Sequence, residues 1–191
     1  MRRILRACAV RASAVCLGVA SLGIACGGAQ PPPADLSQQA TGGEFAPYPY
    51  TVSQIRAGCQ HRVIEFRTEK PGGVVLDESW AFTNADSDSV NITTTTFDAS
   101  GKAVGTPATE TYKWTDLHEH ARFPRAATVI DSDTITTPAG TFDCMRYVVT
   151  KGDEVKTYWF ARNIAGPPVK LLVTKGGQQV MVMTMQANRT K

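Results

Sequence analysis

Val90-Asn91-Ile92-Thr93-Thr94-Thr95-Thr96-Phe97, followed at once by Asp98-Ala99-Ser100-Gly101, is the stretch that decides the fold class. A run of threonines resists a helix, because two heavy atoms on Cβ restrict χ1 against the preceding turn. The same branching suits the pleated, half-exposed surface of a strand. Asp-Ala-Ser-Gly is turn chemistry: Asp and Ser bond their own backbone, and Gly accepts a positive φ.

Outward from there the pattern repeats. Val63-Ile64-Glu65-Phe66-Arg67 is broken by Lys70-Pro71-Gly72-Gly73, and Ser79-Trp80-Ala81-Phe82-Thr83 follows. Downstream, residues 128–136, 142–150, 155–161, 169–174 and 179–186 read as further strands. Lys151-Gly152-Asp153 and Lys175-Gly176-Gly177 are short enough to be hairpin loops. Consecutive hairpins make an antiparallel meander. A sheet of about eight or nine strands curls, closes or splits into two layers. The expected class is mainly β: a curved antiparallel meander or half-barrel with one or two short helices.

The first helix is expected at Thr51-Val52-Ser53-Gln54-Ile55-Arg56, where Gln54 stands three residues after a capping Thr51 and Gly58 sits where the helix would end. The second is expected at Trp114-Thr115-Asp116-Leu117-His118-Glu119-His120-Ala121, closed by Phe123-Pro124. Trp114, Leu117 and Ala121 share one helical face there, so this turn should plug one end or one face of the sheet.

The chain has 191 residues, with 20 basic and 17 acidic side chains. The first 25 residues hold Arg2, Arg3, Arg6 and Arg11 and no carboxylate, so the positive balance belongs to a leader and implies no nucleic-acid surface. Residues 1–25 have the form of an export signal, with a charged start and an apolar stretch from Ala12 to Ile24. That stretch is shorter than the roughly 20 apolar residues a spanning helix needs. Leu22-Gly23-Ile24-Ala25-Cys26 resembles the lipobox of bacterial lipoproteins, with Gly23 departing from the usual Leu; the resemblance implies a lipid on the Cys26 thiol. Ordinary cleavage after Ala25 is the alternative. Residues 26–45 are rich in Gly, Pro, Gln and Ser and read as a tether, leaving residues 46–188 as the β-rich domain. Gly27, where an acidic residue often marks inner-membrane retention, points to the outer membrane and its periplasmic side.

Cys8 and Cys16 leave with the signal, so Cys59 and Cys144 are the two thiols of the folded part, and in an exported chain two thiols suggest one disulfide. Such a bridge would close a long loop and contribute about 4–5 kcal/mol in chain-entropy terms. The rival is a Cys59–His61 nucleophile and base, with no further catalytic signature around it.

His118 and His120 beside Glu119, with His61 elsewhere, invite a zinc reading. Positions two apart on a helix point about 200° from each other, however, and cannot chelate together. No metal is expected; a surface His118 and a buried His120 are. Asp86-Ser87-Asp88-Ser89 and Asp131-Ser132-Asp133 lack the Gly and Glu of a calcium loop and read as turn residues. No Gly-x-Ser-x-Gly turn, phosphate loop or dinucleotide fingerprint occurs. Catalytic residues and cofactors are therefore expected to be absent. Val180-Met181-Val182-Met183-Thr184-Met185 places Met181, Met183 and Met185 on one strand face, either filling core gaps or lining an adaptable apolar pocket.

Pro138-Ala139-Gly140-Thr141-Phe142-Asp143-Cys144, with Tyr158-Trp159-Phe160-Ala161, Gly166-Pro167-Pro168-Val169 and the segment from Trp114 to Pro124, resembles a group of bacterial exported proteins that includes TapB-like lipoproteins. The likeness covers about residues 45–186, and related domains look like the curved half-barrel of the lipoprotein carriers LolA and LolB, whose concave face holds acyl chains. The resemblance implies a shape and brings no catalytic residues. The expectation is a non-enzymatic envelope lipoprotein, tied to the membrane by its N-terminal lipid, that binds an apolar small molecule or, alternatively, an envelope protein.

Overall fold

The computed structural model describes residues 43–190. The expected export signal, Cys26 and the expected tether up to residue 42 lie outside the described residues.

The domain begins with helix α1 (Val52–Cys59), then strands β1 (Arg62–Lys70), β2 (Val74–Thr83), β3 (Ser89–Phe97) and β4 (Ala103–Lys113). Helix α2 (Trp114–Glu119) and a 3-10 turn (Arg125–Ala127) lead to β5 (Thr128–Thr137), β6 (Gly140–Lys151), β7 (Glu154–Ala161), β8 (Lys170–Lys175) and β9 (Gln178–Thr190). The strands form one open, curved antiparallel sheet in the order β4-β3-β2-β1-β9-β8-β7-β6-β5. Two meanders, β1–β4 and β5–β9, run outward from a shared seam where the first strand pairs with the last, Phe66 opposite Met185.

The threonine run is β3, with Thr93 opposite Thr109 and their hydroxyls 2.9 Å apart. Its turn closes as expected: the Asp98 carboxylate accepts from the Ser100 and Lys102 amides at 2.9 and 3.0 Å. The loops at 151–153 and 175–177 join β6 to β7 and β8 to β9. Two elements differ from expectation. β4 is a full strand, and β2 starts at Val74 rather than near residue 79. β4 is exposed almost throughout, so it carries no buried alternation to be read.

Helix α1 is capped as its sequence implies: the Thr51 hydroxyl accepts from the Gln54 amide at 3.2 Å, and the Gln54 side chain accepts from the Thr51 amide at 2.8 Å. Gly58 does not end it. A Cβ at Gly58 would lie 2.0 Å from the Ala165 carbonyl oxygen, so this glycine allows close approach of the helix to the loop after β7. The reversal falls to His61, which adopts φ 60°.

Antiparallel pairing gives the sheet two unlike ends. At the hairpin end lie the reversals β1–β2, β3–β4, β6–β7 and β8–β9, with the start of β5; at the helix end lie α1, the β2–β3 loop and the β7–β8 connection. The segment from Lys113 through α2 to Thr128 runs from the helix end of one edge strand, β4, to the hairpin end of the other, β5. Residues 43–50 run alongside it, joined by Ala46 N to Phe123 O (2.8 Å) and Arg125 N to Glu44 O (3.0 Å). Trp114, 1% exposed, seats the crossing, and its indole donates to the Asp86 carbonyl at 3.1 Å.

Candidate functional site

Between this two-ply crossing and the sheet is an apolar cavity of about 350 Å³. Its sheet floor is Trp80, Phe82 and Ile92 from β2 and β3, and Tyr158, Phe160, Leu171 and Met183 from β7–β9. Ile55 and Cys59 of α1 form one wall, and Leu117, Ala121 and Phe123 another. Tyr48, Pro49 and Tyr50 close it on the side of the incoming chain, and Gly166-Pro167-Pro168 at the helix end. Its volume sits at the small end of the range for ligand pockets, and its walls are of the apolar and aromatic kind such pockets use.

The geometry is held by polar groups that face away from the empty space. The buried Tyr50 hydroxyl donates to the Ala161 carbonyl at 2.6 Å and lies 3.1 Å from the Ile164 carbonyl. Burial pushes its phenol well above the usual range, so it stays a donor. Tyr147 donates to the Pro47 carbonyl at 3.0 Å. At the outer rim Tyr48 stacks on His118, ring centroids 3.8 Å apart, and donates to the Glu119 carboxylate at 2.9 Å. The Arg122 guanidinium lies over the Phe45 ring at 3.9 Å. Polar contacts are thus spent mainly on positioning the walls, and the lining is apolar and aromatic apart from the His118 and His120 rings.

The residues expected to bear function are distributed unequally. Met183 lines the cavity; Met185 is fully buried in the core beside Phe66, and Met181 stands opposite Val173, outside the lining. His118 and His120 reverse the expectation: His118 is half-buried against Tyr48 and His120 is exposed, and both line the cavity. Among the described residues no three His, Cys, Asp or Glu side chains gather as a metal site. Asp86 accepts from the Asp88 and Ser89 amides at 2.8 and 2.7 Å, a local turn. Asp131 is held by Arg146, whose guanidinium keeps its carboxyl below the usual range, and Asp133 accepts from the Trp159 indole at 2.8 Å.

The expected Cys59–Cys144 bridge is not formed: both thiols are buried and free. Each is turned to its own carbonyl, Cys59 Sγ to Ala165 O at 3.9 Å and Cys144 Sγ to Phe142 O at 3.5 Å. Burial pushes the Cys59 thiol up to about 12 and the Cys144 thiol up to about 11, the opposite of an activated nucleophile. His61 is exposed at the helix reversal whereas Cys59 is buried.

The site residues that sequence reasoning passed over are Tyr48, Pro49 and Tyr50 and the aromatic pair Trp80 and Phe82. The dense run Pro47-Tyr48-Pro49-Tyr50, directly after a stretch poor in large apolar groups, is the signal that marks the first three.

No family model matches the sequence, and no curated protein matches it. Among solved structures, MucB in complex with MucA(peri) is similar with a TM-score of 0.51 at 12% identity, over 73% of this chain and 54% of that one. MucB itself gives 0.48 at 13% identity over 72% and 56%. A Bacteroides fragilis protein described as exported and of YmcC-like fold gives 0.45 at 11% identity over 68% and 96%. The chain spans about half the length of the MucB chains. At these identities the likeness is one of fold.

Proposed function

We propose that this chain is an exported cell-envelope protein, anchored through lipid on Cys26 and facing the periplasm from the outer membrane, whose cavity binds an apolar, lipid-like ligand without chemical conversion. The observation that carries it is the cavity of about 350 Å³ walled by aromatic, aliphatic and methionine side chains. An apolar group packed against walls of that kind removes apolar surface from water on both sides of the contact, which favours an apolar ligand there. The fold-level likeness to MucB, the exported character of the Bacteroides fragilis neighbour and the sequence resemblance to TapB-like and LolA-like lipoproteins agree with an envelope role. Native mass spectrometry of the mature chain, purified gently from the envelope, tests it. An extra mass lost on denaturation, and absent in Ala121→Phe where the ring fills the cavity, supports the reading. A bare wild-type chain that also fails to brighten N-phenylnaphthylamine removes it.

A second reading, a protein-binding module, has one specific observation behind it. The edge strand β4 carries Pro107 and a positive-φ Gly105, devices that blunt an edge, whereas the edge strand β5 has neither Gly nor Pro over its ten residues. β5 is therefore the edge on which a partner strand would add, and MucB, for its part, has been solved with MucA(peri) bound.

A further inference from the structure

The exposed large apolar side chains of the described residues are Val74, Val75, Val104 and Val129, at 56%, 52%, 54% and 64% exposure. Their placement is not scattered. Val74 and Val75 are the first two residues of β2, Val104 the second of β4 and Val129 the second of β5. The register puts all three strand starts at the hairpin end: Val74 opposite Lys70, Val104 opposite Thr96, Val129 opposite Val148. The helix end has no counterpart among the described residues; its large apolar groups are covered by α1, α2 and the incoming chain.

Two further observations fall on the same end. Each of the four hairpin reversals carries one exposed lysine, Lys70, Lys102, Lys151 and Lys175. The described chain also begins there: the Gly43 carbonyl accepts from Arg125 Nε at 3.0 Å, three residues before β5 starts. The described chain therefore enters the domain at the end that exposes the valines.

We infer that the hairpin end is the surface on which this domain rests against a phospholipid bilayer. Exposed valines on narrow strand ends can sink into the headgroup boundary without unfolding anything, and lysines beside them keep their ammonium groups at phosphate level while their stems follow the apolar side chains. Glu69, Asp98, Asp153 and Glu154 share the rim, so four carboxylates offset the four lysines and the contact is mainly apolar, with lysines matched to phosphates. The Asp98 carboxylate is already spent on its own turn. The orientation rests on the anchoring reading above, while the surface itself does not.

Site-directed spin labels test it. Cysteines are placed at Val75→Cys and Val129→Cys on the hairpin end and at Ser87→Cys in the β2–β3 loop of the helix end; the buried Cys59 and Cys144 should not take label. The mature chain from the envelope is bound to vesicles of phosphatidylethanolamine and phosphatidylglycerol. Accessibility to a water-soluble nickel chelate should fall several-fold at Val75→Cys and Val129→Cys and stay unchanged at Ser87→Cys. Three labels equally exposed to the chelate on a lipidated chain would overturn the inference. The intact mass reads the anchor separately. If it shows no lipid, the anchoring reading falls, and the same labels on the unlipidated chain with added vesicles decide the surface alone: protection at Val75→Cys and Val129→Cys upholds it, and unchanged spectra refute it.

Discussion

The two meanders of the sheet are built by the same rule and bury very different amounts of themselves. In β5–β9 the side chains of Phe142, Met145, Tyr147, Phe160, Val173 and Met185 are all buried; in β1–β4 burial fades outward from Ile64 and Phe66, through Phe82 and Val90, to a β4 that is exposed nearly throughout. The difference lies in what crosses them. Residues 43–50 and Phe123 press on the second wing, anchored by Tyr50 to the Ala161 carbonyl and by Tyr147 to the Pro47 carbonyl, with the Phe123 ring against Tyr147 and Tyr158. A strand that nothing crosses is free to be polar, and β4 is.

The largest effect should separate the wings directly. Phe160→Ala removes a buried ring that also meets Tyr50, Tyr147 and Tyr158, and should cost about 3–5 kcal/mol in urea unfolding; Val104→Ala on β4 should stay within about 0.5 kcal/mol. Equal costs would mean that the outer strands are more tightly covered than their exposure implies. Next comes Gly58→Ala, whose methyl would meet the Ala165 carbonyl and should destabilise by about 3 kcal/mol while leaving the outer wing's hydrogen exchange unaltered. Thr51→Ala removes the hydroxyl of the α1 capping box and should cost about 1 kcal/mol, read as a shift in urea midpoint at constant slope.

The smallest effect tests where the wings are alike. Each carries a two-point cross-strand arginine–aspartate pair, Arg67 with Asp77 on β1–β2 and Arg146 with Asp131 on β5–β6, the latter guanidinium also lying 3.7 Å from Asp133. The guanidinium bond holds each carboxyl below its ordinary value, so the stabilisation is present above the unfolded carboxylate pKa and is lost as pH falls through the folded one. Acid titration of Asp77→Asn and Asp131→Asn should therefore remove similar small portions of the loss in stability below about pH 4. A much larger share for either would break the parallel.

Local chemistry was legible wherever it is local. The Thr93–Thr96 run, the glycine reversals after Lys151 and Lys175 and the Thr51–Gln54 capping box each act within a few residues, and each appears where the sequence places it. β4 was not legible because a strand exposed on both faces writes no alternation, and Gly105 with Pro107 argues against a strand. The cavity was legible only in pieces, through Met183 and through Leu117 and Ala121 on the face that plugs the sheet. Its walls come from residues as distant as Tyr48 and Leu171, brought together by the seam between β1 and β9 and by the crossing of α2. No periodicity within one segment encodes either. Gly58 misled for a related reason: its signal is that of a helix stop, but its cause is a carbonyl more than a hundred residues away.

That seam also sets when the domain can exist. Phe66 meets Met185, so the central ladder cannot zip until the final strand is available, and the mean loop to be closed is nearly the whole domain. Each meander can assemble from neighbouring hairpins as it emerges, but the two cannot join before the last residues are through. A chain wired this way completes its fold only once its last strand is free to pair with its first.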